Sequence, residues 1–322
     1  MRIHYISYGT AMTGGYRHEK TLFTALYDYL TVNGPVNAWE YRKQKLFRTW
    51  FAYLELFLWS YFRSHADINI VTARSGIAAM LRNLFNNKQV WIVLHNYDET
   101  DGKSALLRWY YARMFSMLRK ARHKRFKVIT VAPFWVRFFK DHVAIENTYL
   151  FPNLFDPSVY EDFKQSHKNP WIHLGQYSSK NDRNISLLAN TLGQEGYYCY
   201  FSTLHEAEAM EHNGHYEILF FPEFADYLNH MSHSCCTLAL TRINEGWNRI
   251  AHESILVGTP VIGYDKGGLG DLLKESNSIS VKNINEALTC IRESLWVIPD
   301  SSFIKKYDIR NASAWLEPIC KA

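Results

Sequence analysis

The sequence predicts a two-domain α/β protein, each domain a parallel sheet flanked by helices. Short β-rich apolar runs alternate with longer helical stretches along the whole chain, as parallel strands joined by helical crossovers require. The chain has 322 residues, about two domains at ~150 residues each. Charge is split between the halves: residues 1–150 carry 22 Lys and Arg against 10 Asp and Glu, net +12, and residues 151–322 carry 14 against 21, net −7.

In the first half the strand candidates are Ile3–Tyr8, Ile68–Thr72, Val90–His95 and Lys127–Ala132. Between them the pattern predicts helices over Glu19–Val32, Glu40–Arg63, Ile77–Phe85, Ser104–Arg122 and Phe134–Asp141. In the second half strands are expected at Trp171–Gly175, Tyr197–Ser202, Glu217–Phe221, Thr237–Leu240 and Pro260–Tyr264. Helices are expected over Ile185–Gln194, Phe224–Ser232, Trp247–Val257, Asp271–Lys274, Asn285–Trp296 and a last stretch after Ser302. Phe151-Pro152-Asn153 and the polar run Gln165–Pro170 punctuate the middle. The domains are therefore set at 1–155 and 156–322, the last helix free to pack back on the first. Two facing Rossmann-like domains are expected to bind ligand in the cleft where the C-terminal ends of their strands meet.

Composition excludes several classes. At 47% hydrophobic and 21% charged residues the chain is not a disordered tail. Its longest strongly apolar stretch, Trp50 to Phe62, is 13 residues and contains Glu55, short of the ~20 a membrane span needs. The N-terminus enters a strand with no signal-peptide pattern. Five cysteines with no CxxC fit neither a zinc site nor a disulfide framework and read as reduced thiols, hence a cytoplasmic protein. No nucleic-acid motif accompanies the basic half. The histidines show no metal-ligand spacing, and Asp98-Glu99-Thr100-Asp101 reads as a polar loop, so no metal is expected.

The strongest local signal runs from Asn244 to Gly263. Glu245 and Glu253 bracket the start of an expected helix that Gly258 and Pro260 stop. If the segment were helical throughout, the carboxylates would stand about 12 Å apart. That is too far for a glycosidase-like pair, and suits two hydroxyl-binding groups on one elongated ligand. The amides of Gly246, Trp247 and Asn248 would leave the helix N-terminus, where phosphate is favoured.

The Glu245-x7-Glu253 spacing, with Glu-Ser-Ile-Leu-Val-Gly-Thr-Pro-Val-Ile-Gly from Glu253, resembles the donor-site signature of family-four retaining glycosyltransferases. Gly14-Gly15 after the first strand, His95 at the end of another, Leu174-Gly175-Gln176 with Lys180, and Asp265 to Gly270 fall in the family's order. The resemblance implies the GT-B architecture, an acceptor bound mainly by the first domain and a sugar nucleotide (UDP- or GDP-linked) mainly by the second, with no cofactor. Carried over by position, Glu245 would hold sugar hydroxyls, Glu253 the ribose, and Lys180 the diphosphate. The amides of Gly15 and of Gly246 to Asn248 would assist, and His95 would lie beside the donor sugar. The family has Gly-Arg where this chain has Gly175-Gln176, a donor without charge, for which Arg183 or Arg17 is the candidate substitute.

The reading is thus a retaining, metal-independent hexosyltransferase acting on a glycan, lipid-linked or protein-linked acceptor. A sugar-nucleotide epimerase or hydrolase, and a non-catalytic ligand-binding relative, are the alternatives. Two first-half stretches, 39–63 and 103–127, interleave basic and aromatic residues, and nine of residues 108–127 are Lys, Arg or His. They suit peripheral contact with an anionic membrane surface, and equally core helices whose cationic side chains coat a rim. An acceptor site where aromatic faces stack on sugar rings is a third reading.

Overall fold

The computed structural model describes residues 1–8, 14–43, 52–97, 105–120, 125–210, 216–295, 297 and 301–322. The chain forms two compact units, Met1–Leu154 with Arg310–Ala322, and Phe155–Ile309.

The first unit opens with β1 (Arg2–Tyr8), α1 (Gly14–Thr31), β2 (Asn37–Lys43), α2 (Ala52–Arg63), β3 (Ile68–Thr72) and α3 (Gly76–Arg82). It continues through β4 (Gln89–Leu94), α4 (Ala105–Lys120), β5 (Phe126–Thr130), α5 (Pro133–Arg137) with a π-helical turn over Phe138–His142, and β6 (Thr148–Leu150). Its sheet has the order β2-β1-β3-β4-β5-β6, and every pairing is parallel. The central strands are buried on both faces, so they read as continuous apolar runs such as Val90–Leu94.

The second unit contains α6 (Ser158–Glu161), β7 (Asn169–Gln176), α7 (Ile185–Gln194), β8 (Tyr198–Thr203), β9 (Glu217–Phe220), α8 (Phe224–His233) and β10 (Ser234–Ala239). Then come α9 (Arg249–Leu256), β11 (Val261–Tyr264), α10 (Gly268–Glu275), β12 (Ile279–Val281), α11 (Ile284–Arg292) and α12 (Ser301–Lys306). Its sheet is again all parallel, in the order β12-β11-β10-β7-β8-β9. One core joins the sheet to α7 and α11 through Leu188, Leu192, Ala287 and Ile291. A second cluster, with Leu228, Met231 and Leu256, joins α8 and α9.

The final helix, α13 (Ala312–Lys321), belongs to the first unit, where Leu316 and Ile319 share a core with Leu22 and Leu26 of α1. It is held by an unusual contact. Lys127 on β5 is 1% exposed and donates Nζ–H to the Ile319 carbonyl of α13 at 2.5 Å, a partner that its buried ammonium needs.

Three sequence expectations are corrected. The helix over Glu40–Arg63 is instead the strand β2 followed by α2, and residues 44–51 lie outside the described residues. β2 is an edge strand whose first four residues are exposed, so no period-two burial marks it. The helix expected from Glu19 begins at Gly14, five residues earlier, because glycines are poor helix formers and mask the start. The strands β6 and β12, three residues each, are too short to leave a pattern. Asp98-Glu99-Thr100-Asp101 falls outside the described residues. Among the described residues no helix is long and apolar enough to cross a membrane.

Candidate functional site

In the second unit the chemistry-bearing residues gather at the C-terminal edge of the parallel sheet. After β10 the chain passes through Arg242 and Glu245 before α9 begins. Glu245 lies outside that helix: its backbone forms a parallel bridge with Gly267, and Gly268 N–H donates to the Glu245 carbonyl at 2.8 Å. Gly267 sits at φ +61°, and a Cβ there would stand 2.6 Å from the Glu245 oxygen. Only glycine permits so close an approach in that conformation.

The helix starts two residues later than the sequence suggests. Asn248, at φ 45°, is the N-cap, and its Oδ1 accepts from Ala251 N–H at 3.0 Å. The amides of Gly246 to Asn248 therefore precede the helix and are not its first-turn donors. An asparagine tolerates the left-handed cap and supplies the capping oxygen. Trp247 is 2% exposed; its indole N–H donates to His252 Nδ1 at 2.9 Å, and its ring packs against Tyr307. Burial holds the His252 pKa well below the ordinary value, so this neutral imidazole accepts through Nδ1.

Glu253 is 4% exposed. Its Oε2 accepts from Tyr227 OH of α8 at 3.4 Å and its Oε1 from Arg249 Nη2, one turn back on α9, also at 3.4 Å. A buried carboxylate needs such partners. Burial first, and Glu253 second, push the Tyr227 phenol well above its usual pKa, so the phenol remains a donor. Arg249 also lies 4.4 Å over the Phe155 ring. The helix is anchored beneath the site by Ser254, whose Oγ donates to the Thr259 carbonyl at 3.0 Å and lies 2.8 Å from Thr237 Oγ1 of β10.

Gln176 ends β7 and the loop after it carries Lys180 and Arg183, all three with exposed side chains. It is stapled to the β10–α9 loop: Arg242 N–H donates to the Lys180 carbonyl and Arg242 Nε–H to the Ser179 carbonyl, each at 2.9 Å. Lys266 Nζ reaches the Arg242 carbonyl at 3.3 Å. The loops holding Lys180, Glu245 and Gly267 are thereby joined. A cavity of about 430 Å³ opens beside them, lined by Tyr177, Asn181, Arg183, Tyr216 and Arg242 among others.

Sequence reasoning missed Arg242, Tyr227 and Arg249. Arg249 carries a signal, four residues before Glu253 on one helix face. Tyr227 and Arg242 carry none, because tertiary structure alone brings them in.

In the first unit His95 follows β4, with its side chain 27% exposed. Its Nε2 lies 3.0 Å from Glu19 Oε1, and Tyr5 OH donates to Glu19 Oε2 at 2.8 Å. A Cβ at Gly15 would approach His95 Nε2 to 3.2 Å, so the glycine lets α1 pass close to the ring. His18 stacks edge-on to His95 with centroids 5.0 Å apart and bonds the Phe151 carbonyl at 2.7 Å. Arg17 is exposed on the same helix. Among the described residues no three His, Cys, Asp or Glu side chains group as metal ligands.

Solved structures of similar fold cover nearly the whole chain. HepE from Anabaena, in complex with UDP and glucose, superposes with TM-score 0.72 at 14% identity, over 100% of this chain and 99% of that one. Sucrose-phosphate synthase from Thermosynechococcus elongatus gives 0.69 at 13%, over 99% and 96%. The lipopolysaccharide outer core galactosyltransferase WaaB gives 0.67 at 10%, over 100% and 99%. The fold is GT-B. At these identities the likeness establishes the GT-B architecture and no more. No protein-family model matches the sequence, and no curated protein matches it.

Proposed function

We propose that this GT-B protein is a retaining, metal-independent glycosyltransferase of the family-four type. It moves a hexose from a nucleoside-diphosphate sugar to an acceptor hydroxyl. The observation that carries the reading is the placement of the Glu245-x7-Glu253 pair at the C-terminal edge of the second sheet, with Glu245 fixed by Gly267 and Glu253 buried against Tyr227 and Arg249. On this reading Glu245 binds hydroxyls of the transferred sugar and Glu253 the ribose. The HepE structures with UDP and with UDP-glucose favour a uridine donor.

Departure of a nucleoside diphosphate builds negative charge on its outer phosphate, and fixed cations aimed there lower the barrier. Lys180 and Arg242, on loops bonded to each other, supply that charge. Retention follows from attack on the face the donor phosphate leaves, the phosphate oxygen taking the acceptor's proton. On this reading His95 lies beside the transferred sugar and the amide of Gly15 assists the leaving diphosphate.

Calorimetry with UDP-glucose, UDP-galactose and GDP-mannose, chelator present, on wild type and Glu253→Ala tests this. Saturable binding of one donor that survives chelation and weakens at least tenfold in the variant is the expected result. A folded protein that binds none of them overturns the donor site. Binding that needs a divalent cation overturns the metal-free mechanism.

A further inference from the structure

Helices α2, α3 and α4 present an apolar outer face to solvent. On α2 the buried side is Leu56 and Ser60, and the opposite side carries Leu54, Leu58 and Phe62, exposed by 52%, 44% and 67%. These sit four residues apart, one line along the helix. A solvent-facing line is normally polar; here it is leucine and phenylalanine.

The neighbouring helices continue the surface. α2 packs on α3, and the Arg82 guanidinium lies 5.5 Å over the Tyr61 ring of α2. Leu81 is 40% exposed and Phe85, just beyond α3, is 95% exposed. α4 joins through Tyr110, whose hydroxyl lies 2.8 Å from the Arg74 carbonyl and accepts from Ile77 N–H at 3.2 Å. Its outer side shows Leu106 and Trp109, at 52% and 63%. Exposed apolar side chains thus occur on all three elements, and a single exposed leucine would need no explanation where this set does.

Its charge is predominantly positive. From Ala52 to Lys120 the described helices and turns bear Arg63, Arg74, Arg82, Arg108, Arg113, Arg119 and Lys120. Of the two carboxylates described over the same span, Glu55 is paired with Lys43 and Asp67 accepts from Arg2 N–H at 2.8 Å. We infer that the α2–α3–α4 face docks the protein on an anionic lipid surface. Leucine, phenylalanine and tryptophan side chains enter the interfacial layer, and the arginines meet lipid phosphates. Apolar groups exposed on helices that also carry these cations match a headgroup layer, which has both hydrocarbon and negative charge within reach. With no spanning helix among the described residues, such contact would be interfacial. The inference does not depend on the transferase reading.

The test is vesicle co-sedimentation of the full chain with phosphatidylcholine alone and with one third phosphatidylglycerol. The wild type is expected to pellet only with the anionic vesicles and to be released by salt. Leu58→Glu with Phe62→Glu is expected to weaken that association by roughly tenfold or more, while thermal unfolding and nucleotide binding remain those of wild type. Arg82→Glu with Arg113→Glu should abolish the preference for anionic lipid. No association with either vesicle overturns the inference, as does association that the Leu58/Phe62 variant leaves intact. Self-association in sedimentation velocity, removed by the same variant without vesicle binding, would make the face an interface between copies and equally overturn it.

Discussion

Replacing Gly267 by alanine tests the link between fold and site most directly. The new Cβ would stand 2.6 Å from the Glu245 oxygen, against 3.4 Å for ordinary contact, a shortfall of 0.8 Å. Relieving it by moving Glu245 would stretch the 2.8 Å bond from Gly268 N–H to about 3.6 Å, past the limit of a hydrogen bond. Losing that bond costs about 1 kcal/mol, and holding alanine at φ +61° about 1–3 kcal/mol more. For a total near 3 kcal/mol, the unfolding midpoint should fall by roughly 6–12 °C. On the transferase reading, a sugar-binding group misplaced by nearly 1 Å costs on the order of 100-fold in rate, so donor turnover should fall by that much. Gly258→Ala is the control. It too has positive φ, +76°, but its Cβ would meet nothing nearer than Lys164 Cγ at 3.9 Å. It should cost about 1 kcal/mol of stability and leave turnover unchanged. Wild-type turnover in Gly267→Ala, or an equal loss in Gly258→Ala, refutes the argument.

Three further outcomes are expected. Asn248→Ala gives up the cap on Ala251 N–H and the tolerance of φ 45°, about 2 kcal/mol together, whereas Asn248→Gly should lose only a few tenths; equal urea midpoints for the two would dismiss the strained cap. Glu19→Gln removes the charge beside His95 Nε2 and, at about 1.5–3 kcal/mol for a charged hydrogen bond, should lower kcat by roughly 10–100-fold with KM little changed; unaltered kcat would confine the pair to a structural role. Burial, aided by His230, pulls His173 down to about 3 from the usual 6.5, so below pH 6.5 the unfolded chain binds a proton the folded one refuses. Stability from this group is whole above pH 6.5 and falls on acidification toward pH 3, by about 2 kcal/mol at pH 5; urea midpoints in His173→Gln should show a shallower acid slope, with buried His252 supplying part of the remainder.

How far the sequence carries depends on what kind of signal each feature leaves. The buried strands β3, β4 and β10 are legible because both faces are covered and each run is largely apolar. The edge strand β2 is not, since exposure removes the alternation and its aromatic residues merge with those of α2. The Glu245–Glu253 pair stood out by its spacing, and the Gly258 stop by helix-ending chemistry. The position of the α9 start was not, because Asn248 reads equally as a first-turn residue and as a cap, and only its φ decides. Tyr227, Arg242 and the Glu19–His95 pair rest on contacts between elements 26, 63 and 76 residues apart, and single-sequence periodicity contains no such distances.

The same distinction explains what residue 176 means. By motif, a glutamine at the end of β7 removes the cation expected there, and a one-dimensional reading therefore weakens phosphate binding. In three dimensions the loop does not act alone. Arg242 arrives from the β10–α9 loop, donates to the Lys180 and Ser179 carbonyls, and is itself met by Lys266 from the loop after β11. Three cations on three loops thus surround one edge of the sheet, each loop bonded to the next. A positive field at that edge depends on their sum and not on which loop contributes each charge. On the transferase reading the glutamine therefore relocates the phosphate-binding charge without deleting it, and Arg242 becomes the residue whose loss the site should feel most.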